Sequence, residues 1–135
     1  MSRLRLHLPA TPEEVPFARA AITRLCEHLE IGDELAERIR LAVTEACTNC
    51  VLHAYDGASA TATYRLEARE EPGEIVVVVQ DWGAGIGGDG DTPAALRRQG
   101  SYGRGFALMR GVATTVEIAS AIGKGTRVEL RFAVR

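Results

Sequence analysis

Leu41-Ala42-Val43-Thr44-Glu45-Ala46-Cys47-Thr48-Asn49 sets a carboxylate and an amide, Glu45 and Asn49, four positions apart in a run of mostly small or apolar residues. On a helix that spacing stacks the two side chains on one face. An exposed Glu/Asn pair is ordinarily a solvated face. Within an apolar helix, however, a carboxylate and an amide need partners. The period around them is helical: Leu35, Ile39, Ala42, Val43, Ala46, Cys47 and Cys50 form one stripe. Gly32 is expected to break the preceding helix, Asp33 to cap this one, and the helix to run to about Ala54.

Outward from this helix the pattern alternates between strand and helix. Upstream, Arg3-Leu4-Arg5-Leu6-His7-Leu8 has the period of a half-buried strand, and Pro9 and Pro12 end it. Thr11, Pro12 and Glu13-Glu14 make a helix start, followed by Val15, Ala18, Ile22, Leu25, Cys26 and Leu29 at helical spacing. Downstream, Asp56-Gly57 marks a turn. Thr61, Thr63, Tyr64 and Leu66 read as a strand, Pro72-Gly73 as a hairpin connection, and Ile75-Val76-Val77-Val78-Val79 as a central strand. Residues 83–105 hold more than half of the fourteen glycines, a length and composition typical of a functional lid, with a short helix expected at Pro93–Arg98. A clearer helix starts near Gly103–Gly105 and covers Phe106, Leu108, Met109 and Val112. Two strands, about 115–121 and 126–134, join at Gly123-Lys124-Gly125. The order implies an α+β fold in one domain, residues 1–135: a two-layer sandwich of a mostly antiparallel sheet with helices on one face.

Composition narrows the function. The 135 residues, 46% apolar and 25% charged, suit one globular domain with a core. A net charge of −2 lacks the positive excess of a nucleic-acid binder. No apolar run is long enough to suggest a membrane span, and the first residues lack a signal-peptide pattern, so a cytoplasmic protein is expected. Cys26, Cys47 and Cys50 are an odd set, read as buried structural thiols. Cys47-Thr48-Asn49-Cys50 has C-x-x-C spacing, but it lies deep in a helix and no second pair offers zinc ligands.

Two further segments carry chemistry. Asp81-Trp82-Gly83-Ala84-Gly85-Ile86 ends the valine-rich strand with an acid and then glycines, where backbone can approach a ligand. Its plainer reading is a turn after a strand. Gly103-Arg104-Gly105-Phe106-Ala107-Leu108 opens a helix with glycines, leaving free N–H groups at the positive dipole end. The glycines do not fit a dinucleotide fingerprint, and Gly123-Lys124-Gly125-Thr126 lacks the remainder of a P-loop.

In this order the segments resemble the GHKL (Bergerat) ATP-binding fold shared by gyrase, Hsp90, MutL and histidine kinases. Glu45-x-x-x-Asn49 is similar to its N box, and Asp81-x-Gly83-x-Gly85-Ile86 to its G1 box. Gly103-x-Gly105-Phe106-x-Leu108 is similar to its G2 box, and Gly123-x-Gly125-Thr126 to its last glycine–threonine element. The single short domain and Glu45-Ala46-Cys47-Thr48-Asn49-Cys50-Val51-Leu52-His53-Ala54-Tyr55 most resemble the bacterial anti-sigma-factor serine-protein kinases of the RsbW/SpoIIAB type.

The resemblance implies ATP between the second helix and the glycine-rich lid. It makes Asp81 the acceptor for the adenine amino group, supported by Thr126, and Asn49 a ligand of Mg²⁺. Gly83, Gly85, Ile86 and Phe106 are carried over with the boxes, and Gly103, Arg104 and Gly105 present N–H groups to the phosphates. Arg104, Arg97 or Arg98 is placed to neutralise the γ-phosphate, and Glu45 to act as general base. His53 continues the row of Leu41, Glu45 and Asn49, although a packed or helix-end histidine is the plainer reading. Phe106 stands where leucine is commoner, and Thr114 where the family has an aspartate. The implied partners are a sigma factor, a STAS-domain anti-anti-sigma protein and a second copy of the chain, with neither nucleic acid nor membrane. The alternative is a nucleotide-binding module that controls a phosphatase or antagonist by binding alone. A histidine kinase catalytic domain lacks room here for a phospho-accepting helix pair, and a thiol or metal protein would use Cys47 and Cys50.

Overall fold

The computed structural model describes residues 2–54, 62–82, 105–121 and 125–134. Five strands form one sheet: β1 (Ser2–Pro9), β2 (Thr63–Glu71), β3 (Glu74–Asp81), β4 (Thr115–Ala121) and β5 (Gly125–Ala133), in the order β1-β2-β3-β5-β4. Every neighbouring pair is antiparallel. The valine-rich β3 is the middle strand, as its β-branched run requires. Among the described residues three α-helices accompany the sheet: α1 (Val15–His28), α2 (Asp33–Asn49) and α3 (residues 105–112). A three-residue 3₁₀ turn, Pro12–Glu14, leads into α1, and a π-helical turn, Cys50–Ala54, continues α2.

The inward sheet residues Leu66, Val77, Val79, Leu130 and Phe132 pack with Ile22 of α1, Ile39 and Val43 of α2, and Met109 of α3 in one core. All three helices therefore cover the same face. The opposite face is a layer of charged side chains over the buried Val76 and Val78. Arg5 pairs with Glu67 at 2.8 Å, Arg69 with Glu71 at 2.6 Å, and Arg131 with Glu129 at 3.1 Å and with Glu74 at 2.5 Å. Long arginine stems screen the valines while the heads stay wet.

Element ends differ in detail from the expectations. Helix α1 stops before Gly32: Glu30 adopts a left-handed φ of 56°, and the Ile31 N–H donates to the Cys26 carbonyl at 2.9 Å. That is a glycine-type stop built on a glutamate. Gly32 is itself the N-cap of α2, with extended backbone, so Asp33 is not the cap but sits in the first turn with Glu34, beside the positive dipole end. Strand β2 runs on from Leu66 to Glu71 because it pairs with β3 as far as Glu71 opposite Glu74, across the Pro72-Gly73 turn. Gly73 takes the positive φ, 77°, that this turn needs. The helix expected at Pro93–Arg98 and most of the glycine-rich stretch lie outside the described residues.

Among the described residues no helix is long and apolar enough to cross a membrane.

Candidate functional site

The C-terminal end of α2, the end of β3, the start of β5 and the start of the described part of α3 converge. Strand pairing sets Gln80 opposite Arg127, which brings Asp81 beside Thr126. The Thr126 N–H donates to Asp81 Oδ1 at 3.2 Å. Both side chains are buried, Asp81 only 3% exposed. Gly125 makes the approach possible: its φ is 83°, and a Cβ there would lie 2.1 Å from the Asp81 carbonyl oxygen.

Asn49 closes the other side. It is 7% exposed, and its Nδ2 has no hydrogen-bond partner among the described residues. A buried amide with an open donor costs free energy unless a ligand or water completes it. The amide faces Gly105 across the gap between α2 and α3: a Cβ on Gly105 would lie 3.0 Å from Asn49 Nδ2 and 3.2 Å from Oδ1. The glycine therefore leaves free the space around the amide. An amide oxygen is a suitable hard donor for Mg²⁺, which takes few protein ligands. The residues present thus fit a nucleotide on two observations: the open amide donor beside Gly105, which calls for an acceptor oxygen, and the buried acid at the strand end.

One turn before Asn49, Glu45 is half-buried and makes no hydrogen bond or ion pair with a described residue. Its neighbour Thr44 is engaged, donating to the Arg40 carbonyl at 2.7 Å and accepting from Arg19 at 3.2 Å. Phe106 turns into the core, 6% exposed, where its bulk packs beside Met109. Gly83, Gly85, Ile86, Gly103 and Arg104 lie outside the described residues, as do Arg97, Arg98 and the side chain of His53.

Cys50 belongs to this cluster although its chemistry had suggested only core packing. As the first residue of the π turn, its Sγ donates to Asp81 Oδ2 at 3.8 Å. Burial, followed by the charge of Asp81, pushes its thiol well above the ordinary range. Cys47 lies in the core beside Tyr64, and burial pushes it up to about 12. Both are free thiols whose burial favours the protonated form. Nothing in the C-x-x-C spacing points to Asp81; the signal is Cys50 following directly on Asn49. Trp82, next to Asp81, is 47% exposed, and the Arg65 guanidinium sits 5.9 Å from its ring centroid.

The chain matches the histidine kinase-like ATPase domain over residues 8–132. It is 28% identical over 138 residues to the anti-sigma F factor of Pasteuria penetrans, covering 96% of this chain and 89% of that one. Against the anti-sigma F factor of Caldanaerobacter subterraneus subsp. tengcongensis it is 31% identical over 121 residues, covering 84% and 81%. Among solved structures it is similar to the RsbU and RsbW domains of a Mycobacterium tuberculosis protein, with a TM-score of 0.71 at 19% identity over 96% of this chain and 31% of that one. It is also similar to a chain of the SiaB–SiaC complex from Pseudomonas aeruginosa, with a TM-score of 0.63 at 13% identity over 97% and 89%. At such identities the two structures speak for the fold.

Proposed function

Since this chain belongs to the histidine kinase-like ATPase domain family and is related to anti-sigma F factors, we propose that it is an ATP-dependent anti-sigma factor that phosphorylates a serine or threonine of a STAS-type antagonist. The observation that carries the nucleotide half of this reading is the unpartnered, buried Asn49 amide facing Gly105, one residue from the cysteine that touches Asp81. Bound Mg-ATP supplies the phosphoryl group and the charge that organises it. Asn49 holds the metal through its amide oxygen. Asp81, steadied by Thr126, accepts from the adenine amino group and disfavours guanine, whose carbonyl would face an acceptor. In this reading phosphate binding is assigned to the N–H groups of Gly103, Arg104 and Gly105, and charge neutralisation to Arg104, Arg97 or Arg98. Glu45, unpaired within the described residues, takes the proton of the partner's hydroxyl while positioning does most of the work.

The same reading supplies the switch. A phosphate adds about −1.5 to −2 charge at the modified serine, enough to eject the antagonist from a packed surface. The chain is then free to hold a sigma factor. We take residues 1–135 as one ATP-binding domain acting as a homodimer in the cytoplasm.

Incubation with γ-labelled Mg-ATP and STAS proteins from the same genome tests this. Label is expected on a serine or threonine of one of them. Glu45→Gln should leave the Kd for ATP within about twofold and lower transfer by about 10²–10⁴, the usual worth of a general base. Bound ATP with no transfer to any candidate would instead mean a module that regulates by binding alone.

A further inference from the structure

Asp81 is gripped from two sides. The Thr126 N–H holds Oδ1 at 3.2 Å, and the Cys50 thiol reaches Oδ2 at 3.8 Å. The second donor comes from a residue 3% exposed, at the point where α2 gives way to a π turn. Such turns place one residue more per turn and so redirect the side chains that follow. The next residue back, Asn49, is more than nine-tenths buried with an open amide, which marks this end of α2 as facing a ligand.

We propose that Cys50 is a positioning residue for base recognition: its S–H sets the plane of the Asp81 carboxyl group so that this group meets the 6-amino group of a purine. This rests on the nucleotide reading above and adds a residue to it. A carboxyl group held by one donor swings about its last side-chain bond, and orienting it on binding then costs entropy. Among the described residues, donors on both oxygens restrict that freedom before the ligand arrives, and the Cys50 thiol serves Oδ2. A core-packing role for Cys50 predicts something else, an equal loss for every nucleotide that fills the pocket.

The test compares ATP with purine riboside triphosphate, the same nucleotide without the 6-amino group, by calorimetry on the full chain with Mg²⁺. The wild type is expected to prefer ATP. Cys50→Ala should shrink that preference by at least about threefold, the worth of one modest hydrogen bond. Cys50→Ser, which keeps a donor, should restore it. Should the alanine variant not fold, Cys50→Val fills the space without a donor and is expected to read the same way. A preference unchanged in Cys50→Ala or Cys50→Val overturns the proposal and leaves the nucleotide site standing. Equal affinity of the wild type for both ligands also overturns it. A wild type that binds neither nucleotide removes the site reading, and this proposal with it.

Discussion

Asn49 and Gly105 are separated by more than fifty positions, yet the glycine's missing Cβ is what leaves space beside the amide. Gly105→Ala should therefore separate stability from binding. Alanine is the better helix former by about 1 kcal/mol, so thermal unfolding should stay within a few degrees of the wild type. The added methyl group would lie 3.0 Å from Asn49 Nδ2, so the amide must give way slightly, and ATP affinity is expected to fall about tenfold, roughly one charge-assisted contact. Calorimetry and a thermal melt on the same sample decide it; unchanged affinity would detach Asn49 from the nucleotide. At this scale Glu45, Asn49 and Asp81 stand out in the sequence as candidates, because acids and amides inside apolar runs are conspicuous, whereas Thr126 enters only through the family resemblance. Cys50 was not, because a cysteine in a helix looks like any small apolar residue until its neighbour across the cleft is known.

The turn into β5 makes the strictest demand on an element. Gly125 has a left-handed φ of 83°, and its Cα passes so close to β3 that a Cβ would fall 2.1 Å from the Asp81 carbonyl oxygen and 2.7 Å from the Trp82 Cα. Neither neighbour is a flexible side-chain tip, so the strands themselves must part. Gly125→Ala is expected to cost about 3 kcal/mol or more in a urea titration, and to weaken ATP binding because Thr126 leaves Asp81. A loss below about 1 kcal/mol would show that the β3–β5 end is looser than the geometry implies. Helix and strand types were readable from period alone. Their ends were less so. The stop of α1 at Glu30 rather than Gly32 depends on a backbone hydrogen bond to Cys26 that no residue type announces.

Across the whole molecule the helical layer buries its thiols on the inner side of the sheet, and this has a consequence at alkaline pH. Burial pushes Cys47 up to about 12 and Cys50 well above the ordinary 9.0, and it raises Tyr64 as well. Folded values above unfolded ones mean that the native state holds these protons more tightly. Stability is whole below about pH 9, where the thiols are protonated in both states, and is lost as the pH climbs toward about 12, since the unfolded chain ionises first. The urea midpoint should be level to about pH 8.5 and then fall, by up to about 1.4 kcal/mol per pH unit for each thiol. Replacing Cys47 and Cys50 by serine should make that limb shallower, leaving the part owed to Tyr64 and Cys26; a wild-type midpoint constant to about pH 11 would contradict it. What the amino-acid order determined alone is what depends on near neighbours: alternation made strands, the three-to-four-residue period made helices, and the β-branched run after Glu74 made the sheet's centre. Only packing of the helices onto one face decided that residues 49, 50, 81, 105 and 126 share one end of the molecule. Those contacts join positions up to 45 residues or more apart, and their geometry comes from strand register and from the π turn after Asn49, which exist only once the layers have closed.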